Sequence, residues 1–271
     1  MAPSGCDGLR QQAHATRTPR KAASGAAQAP APLLVRAETQ HAGRGRRGRT
    51  WLDAPGTSLL LSLGLRAAAD SPLPADPARA WRVGATLALA AADAIEDAAG
   101  MRLGTVALKW PNDLVLRNVE GGVTRSFRKV GGLLAEGADL GTPAATLVVG
   151  LGVNVRGDPS RLDPELAATA TSIELATGRP VDREALFDDL VARLAGRLAA
   201  LGRGSFDVAG WHERQLLGGH EVELELGPGE IVTGVVAGHD GATGALLLSV
   251  GGTERAVEAG AVTRVRRIAG R

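Results

Sequence analysis

The stretch ATLVVGLGVNV, residues 145–155, carries apolar side chains at both odd and even positions. A strand with one solvated face alternates apolar and polar residues, so this run predicts a strand buried on both faces at the centre of a sheet. Upstream, TVALKW, LVLR and KVGGLLAEG predict three further strands. The glycine-containing NVEGGVTRSFR, residues 118–128, is expected to be a flexible excursion between two of them.

Two longer helices and a pair of earlier strands surround this group. LLVRAE and TSLLLSLGL predict strands on either side of an arginine-rich loop. Asp76 followed by Pro77 suits the N-cap and first turn of an Ala-rich helix that ends near Gly100. A second helix is expected from Asp182 to Gly202, with a leucine stripe at helical spacing. The stripe consists of Leu186, Leu190, Leu194, Leu198 and Leu201.

The character of the sequence changes at both ends of the chain. Residues 1–32 are rich in Ala, Gly, Pro, Ser and basic residues without sustained periodicity, which predicts disorder. From residue 218, short alternating runs are separated by turn residues, as in a small all-β barrel. We therefore expect three parts: a disordered segment (1–32), an α+β domain large enough to hold a catalytic site (33–217) and a C-terminal barrel (218–271).

Composition limits the classes of protein that this chain can be. The 271 residues are 44% hydrophobic, and no run reaches the ~18 apolar residues of a membrane span. Cys6 is the only cysteine, which excludes an internal disulfide, and no secretory h-region is evident, so a cytoplasmic location is expected. The net charge of +2 hides a local balance of +7 in residues 1–50. One cationic segment on a mildly acidic body suits a small anionic ligand.

Four short motifs are candidates for a functional site, and each also has an ordinary structural explanation. GRGRRGRTW, residues 43–51, could be a solvated loop, although a mobile cationic loop can also close over an anion. KWPND, residues 109–113, could be a strand end and turn. KVGG, residues 129–132, could mark a β-bulge. GLGVN, residues 150–154, matches neither common phosphate-loop pattern.

Taken in order along the chain, these four motifs resemble those of biotin protein ligases. The resemblance covers about residues 33–271. It implies a mixed β-sheet flanked by helices, related to class II aminoacyl-tRNA synthetases and to the biotin and lipoate ligases, followed by an SH3-like barrel. It also implies that the protein activates biotin with ATP and Mg²⁺ to biotinyl-5'-AMP. The biotin then passes to a lysine of the carrier domain of an acyl-CoA or pyruvate carboxylase.

The resemblance assigns roles to residues of this chain. Lys129 and Arg46 would be catalytic, stabilising negative charge on the biotin carboxylate and the α-phosphate. The biotin-binding residues would be Gln40, Gly43, Arg44, Gly45, Arg46, Lys129 and Gly131. The nucleotide-binding residues would be Arg46, Arg49, Trp51, Asn112, Asp113 and Asn154. The resemblance identifies no metal ligands, and it leaves the role of Lys109 open.

The sequence departs from the family pattern in the region before the arginine loop. Family members carry a Ser-Thr-Asn segment there, whereas this chain reads ATRTPRKAAS, in which Thr18 is the nearest substitute. Residues 1–32 are too few and too polar for the winged helix-turn-helix of the repressor members, so neither repression nor DNA binding is expected. A monomer or a homodimer that does not associate with membranes is expected.

Three alternatives stay open. A lipoate or octanoate ligase or transferase would share the fold and the lysine, but is expected to lack KWPND. A nucleic-acid-binding protein could use the basic segment, but would be expected to offer aromatic stacking residues there, and the chain has no tyrosine. The missing Ser-Thr-Asn segment also allows a binding protein with weakened catalysis.

Overall fold

A computed structural model describes residues 32–69, 71–120 and 123–267. Six strands form the larger sheet in the order β1-β2-β6-β5-β4-β3. They are β1 (Leu33–Ala37), β2 (Ser58–Arg66), β3 (Val106–Lys109), β4 (Asp113–Glu120), β5 (Val123–Ala138) and β6 (Thr146–Asn154). Every pair of these strands is antiparallel, and parallel pairing occurs as two isolated bridges, Leu108 with Gln215 and Lys129 with Ala170.

Strand β6 has the central position that its apolar sequence predicts. It pairs with β2 on one side and with β5 on the other. Val149 and Val153 are fully buried on one face, and Val148 is buried at the next position along the strand. The predicted strands on either side of β6 are present, so the expected α+β fold class is confirmed.

Helix α1 (Trp81–Ala98) and helix α3 (Arg183–Gly202) pack against one another over the sheet. Asp76 accepts a hydrogen bond from the Ala78 N–H at 3.0 Å and caps a 3-10 turn at Pro77–Arg79, so α1 begins one turn later than predicted. Helix α3 begins where predicted, and Asp182 is its N-cap. The whole predicted leucine stripe of α3 is buried in the core. Two short helices, α2 (Ile173–Thr177) and α4 (Val208–Glu213), complete this layer.

The expected flexible excursion at residues 118–128 is wrong for the described part of that stretch. Strand β4 continues to Glu120 and β5 resumes at Val123, so the two strands form an extended hairpin. Asn118 lies opposite Ser126, and a bulge follows between Asn118 and Val119. A Gly-Gly pair flanked by β-branched residues favours a β-hairpin, so the two glycines are the wrong basis for a prediction of flexibility in this stretch.

The C-terminal strands form a second, five-stranded antiparallel sheet in the order β10-β9-β8-β7-β11. They are β7 (His220–Gly227), β8 (Glu230–His239), β9 (Leu246–Val250), β10 (Thr253–Val257) and β11 (Ala261–Arg267). The sheet is barrel-like, but within residues 218–267 its outer strands β10 and β11 do not pair with each other.

An aromatic cluster joins the second sheet to the helices. The ring centroids of Trp81 and Trp211 are 4.7 Å apart, and Trp211 lies 5.7 Å from the ring of His239. The Trp81 indole N–H donates to the Ala242 carbonyl at 3.1 Å. Among the described residues, no helix is long and apolar enough to span a membrane.

Candidate active site

A cavity of about 900 Å³ lies between the arginine loop, the larger sheet and the second sheet. Ten of the predicted site residues line it: Gln40, Arg44, Gly45, Arg46, Arg49, Trp51, Asn112, Asp113, Lys129 and Asn154. Gly43 and Gly131 are not among the lining residues. The fold therefore brings residues from four separate motifs to one space.

The arginine loop is a tight turn held by its own backbone. Trp51 donates its N–H to the Gly43 carbonyl at 3.0 Å, and Gly45 donates to the Arg49 carbonyl at 2.7 Å. A Cβ on Gly43 would lie 2.3 Å from the Trp51 carbonyl oxygen, so only glycine fits there. Arg47 has φ 57°, a left-handed conformation that is uncommon for a side chain other than glycine. The predicted mobile loop thus has a defined fold in the structure.

The four arginines of this loop differ in their partners. Arg44 pairs with Glu136 at 2.6 Å, and Arg47 pairs with Glu225 of the second sheet at 3.1 Å. Among the described residues, Arg46 and Arg49 have no carboxylate within ion-pair distance. Burial lowers the pKa of Arg46, and the nearby Arg47 adds to that effect. Arg46 and Arg49 therefore place positive charge in the cavity that an anionic ligand would offset.

Lys129 lies on β5 and also lines the cavity. Its Nζ is 2.6 Å from Asp113 Oδ1 and 5.6 Å from the ring centroid of Trp51. Its backbone N–H donates to the Thr169 carbonyl at 2.7 Å, and its carbonyl accepts from the Thr171 N–H at 2.8 Å. These two bonds anchor the backbone of Lys129 in the wall of the cavity, and the ion pair with Asp113 orients its ammonium group.

Lys109 shares the same carboxylate as Lys129. Its Nζ lies 3.9 Å from Asp113 Oδ2. Burial lowers the pKa of Lys109, and the neighbouring Lys129 and Arg49 lower it further, whereas Asp113 raises it. A single carboxylate therefore serves two ammonium groups, and this end of the cavity carries surplus positive charge.

Three glycines make room for these side chains. A Cβ on Gly152 would lie 2.7 Å from the Trp51 ring, and one on Gly132 would lie 3.0 Å from Lys129 Nζ. A Cβ on Gly131 would lie 2.8 Å from the Gly152 carbonyl oxygen, so the close approach of β5 and β6 at this position requires glycine. The glycines of KVGG and GLGVN thus provide space for the side chains of the site.

The two asparagines predicted to bind nucleotide each donate to the main chain. Asn112 Nδ2 donates to the Leu133 carbonyl at 2.5 Å, and Asn154 Nδ2 donates to the Thr171 carbonyl at 3.0 Å. A carboxamide has two donor hydrogens and an acceptor oxygen. Each asparagine is therefore oriented by one bond and keeps a donor and an acceptor for a ligand.

The sequence reasoning missed two stretches that line the cavity. Residues 156–170 contribute one wall, with two 3-10 turns capped by Asp158 and Asp163. Residues 260–263 of the second sheet contribute another part of the lining. The two Asp-Pro pairs in residues 158–164 are a turn signal that could have indicated the first stretch. Asp53 also lines the cavity, and burial raises its pKa.

The profile of the biotin/lipoate A/B protein ligase family matches residues 10–154. The chain belongs to this family. The match begins within the segment predicted to be disordered, and both that prediction and Thr18 lie outside the described residues.

The members of this biotin/lipoate ligase family that resemble the chain include known ligases. The chain is 33% identical to the biotin--[acetyl-CoA-carboxylase] ligase of Mycobacterium tuberculosis, over 86% of this chain and 79% of the relative. It is 32% identical to the bifunctional ligase/repressor BirA of Bacillus subtilis, over 60% of this chain but only 45% of that protein. The biotin protein ligase of Aquifex aeolicus, solved with biotin and ATP, has a similar fold. Its TM-score is 0.67 at 23% identity, covering 95% of this chain and 97% of the other.

Proposed function

We propose that this chain is an ATP-dependent biotin protein ligase. The observation that carries the proposal is the convergence of Lys129, Arg46 and Arg49 on one cavity, in a family whose members include biotin ligases. Biotin activation brings a carboxylate against a triphosphate, so every reactant is anionic. Fixed cations offset that repulsion and stabilise the charge that develops as the bonds change.

In the first half-reaction, a biotin carboxylate oxygen attacks the α-phosphorus of ATP. The bond from that phosphorus to the β-phosphate bridging oxygen breaks, and pyrophosphate leaves with the bonding electrons. Lys129 would hold the carboxylate and α-phosphate oxygens, with Asp113 restraining its ammonium group at 2.6 Å. Arg46 and Arg49 would contact the phosphates, and the Trp51 ring would pack on the adenine.

In the second half-reaction, a lysine amine of the carrier domain attacks the acyl carbon of biotinyl-5'-AMP. The C–O bond of the mixed anhydride breaks, AMP leaves, and the amine loses a proton as the amide forms. Lys129 would again stabilise the oxyanion. A closed arginine loop would exclude water, which would otherwise hydrolyse the anhydride.

Mg²⁺ fits this cavity as a partner of the ATP phosphates. Within residues 32–69, 71–120 and 123–267, no group of three metal-binding side chains forms a protein cage. Mg²⁺ is commonly held by one or two carboxylates together with substrate phosphates, so such a cage is not required. Asp53 and Asp113 line the cavity and could hold it, and the ion would neutralise phosphate charge.

The acceptor is proposed to be the biotin carrier domain of a carboxylase, and the location is proposed to be the cytoplasm. Both rest on the relatives and on the sequence, as does the expected monomer or homodimer. Lipoate or octanoate as the acyl substrate is the competing proposal within the family.

The test is the exchange of labelled pyrophosphate into ATP by the purified chain, with biotin, lipoate or octanoate as the acid. Exchange with biotin alone is expected, followed by transfer of label to a recombinant carrier domain. Exchange with lipoate or octanoate but not with biotin would overturn the assignment. No exchange with any of the three acids would overturn acyl adenylation as the activity.

A further inference from the structure

Arg183, the first residue of α3, links two segments that contribute to the cavity. Its side chain is only 14% exposed. Nη1 donates to the Ser58 carbonyl at 3.3 Å, and Nη2 donates to the Glu38 carboxylate. Neither Arg183 nor Glu38 lines the cavity, so neither is placed to touch a bound substrate.

One acceptor follows the end of a strand, and the other begins a second strand. Glu38 follows the end of β1 and precedes Gln40, which lines the cavity, by two positions. Ser58 begins β2 and lies opposite Asn154, at the end of β6. One guanidinium group therefore holds the Gln40 segment against the strand end that carries one of the predicted nucleotide ligands.

Glu38 is held from a second direction as well. Arg36 Nη2 lies 3.2 Å from Glu38 Oε1, while Arg36 Nη1 donates to Glu184 at 2.5 Å. The Arg36 guanidinium also lies over the Phe187 ring, 4.9 Å from its centroid. The hydrogen bond with Glu184 raises the pKa of Arg36. Two guanidinium groups, both mostly buried, thus restrain one carboxylate.

The Gln40 segment has few other restraints. Residues 39–42 lie between β1 and the arginine loop, and their backbone groups make no hydrogen bonds to other described residues. A segment without backbone hydrogen bonds of its own is positioned by the contacts at its ends. Here those ends are Glu38, in the ion cluster, and Gly43, which accepts from Trp51.

We propose that Arg183 and Glu38 are positioning residues that set the place of Gln40 and so determine the affinity of the cavity for biotin. The inference rests on the proposed function, and it adds two residues that act through Gln40 and Ser58. Their loss would displace the biotin-binding segment while the arginine loop and Lys129, which have their own backbone anchors, keep their positions.

The experiment compares Arg183→Met with Arg193→Met in the full-length chain. Arg193 is the matched control because it lies on the same helix and pairs with Asp97 and with Asp189, the latter at 2.7 Å, away from the cavity. A displacement of about 1 Å at a positioning group can lower the reaction rate about a hundredfold. We expect Arg183→Met to weaken biotin binding at least tenfold, by calorimetry and as the KM for biotin in pyrophosphate exchange. The KM for ATP should stay within about twofold.

Two further variants separate positioning from general stability. Arg183→Lys keeps the charge but loses the two-pronged geometry, so it should restore part of the affinity lost in Arg183→Met. Glu38→Gln keeps an acceptor oxygen and should weaken biotin binding less than Glu38→Ala.

Each outcome decides the question. Equal biotin affinity in the two methionine variants would overturn the inference, and so would a parallel rise in the KM values for biotin and ATP. If the unaltered chain binds no biotin in calorimetry, the proposed function fails, and the inference fails with it. Because that result appears in the unaltered chain, the two failures are distinguishable.

Discussion

Replacing Lys129 with Gln should separate catalysis from stability. The side chain of Lys129 is 36% exposed and that of Asp113 is 21% exposed, so their ion pair is partly screened by solvent. Such pairs contribute about 0–1 kcal/mol to the free energy of unfolding. Asp113 also keeps Lys109 at 3.9 Å, so its charge is not left without a partner. The free energy of unfolding of the variant should therefore fall by less than about 1 kcal/mol, and its Tm by no more than about 2–4 °C.

The expected effect of Lys129→Gln on the reaction is much larger. Removing one group that stabilises a developing oxyanion costs about a hundredfold to a thousandfold in rate, or about 3–4 kcal/mol. We expect biotin-dependent pyrophosphate exchange to fall by that factor, with Tm measured on the same samples. Arg255→Gln is the control, because its 3.9 Å pair with Glu230 lies exposed on the second sheet. A loss of activity below tenfold, or one that follows Tm, would refute the catalytic role.

Three other predictions concern single positions. Gly43→Ala should abolish exchange activity, because its Cβ would lie 2.3 Å from the Trp51 carbonyl, whereas Gly196→Ala, with open space around it on α3, should retain full activity. Gly152→Ala should raise the KM for ATP and shift the Trp51 fluorescence, because the new methyl group would lie 2.7 Å from the ring; an unchanged KM would contradict this. Burial lowers the pKa of His239 to about 4, below its usual 6.5, so the free energy of unfolding should fall as the pH drops from about 6.5 to 4. Urea titrations across that range should show a flatter profile for His239→Phe, and identical profiles would contradict the assignment.

Local signals in the chain predicted most of the secondary structure. The N-cap at Asp76 and the start of a helix at Asp182 could be predicted because an N-cap acts on backbone N–H groups two or three residues away. The leucine stripe and the run at residues 145–155 were readable because periodicity reflects which face is buried. The hairpin at residues 118–128 was missed because its Gly-Gly pair was interpreted as flexibility, although such a pair also favours a β-hairpin turn.

Residues from all four motifs line the cavity, but the motifs did not predict how those residues are arranged. That Lys129 shares Asp113 with Lys109, and that Arg47 reaches Glu225, depends on which strands and sheets pack together. The contribution of residues 156–170 was not predicted, because a turn signal does not say which cavity the turn will face.

The order of the residues alone predicts the strands, the helices and the lack of an internal disulfide. It also predicts the set of residues most suited to bind an anion. Contacts between residues that are far apart in the sequence could be identified only from the tertiary structure. Glu38 and Arg183 are 145 positions apart, and neither belongs to a motif. The physical reason is the range of the forces involved: backbone hydrogen bonds and burial periodicity act over a few neighbouring residues and leave a pattern in the sequence. An ion pair between distant segments forms only where packing brings the two charges together, and the sequence carries no local pattern for it.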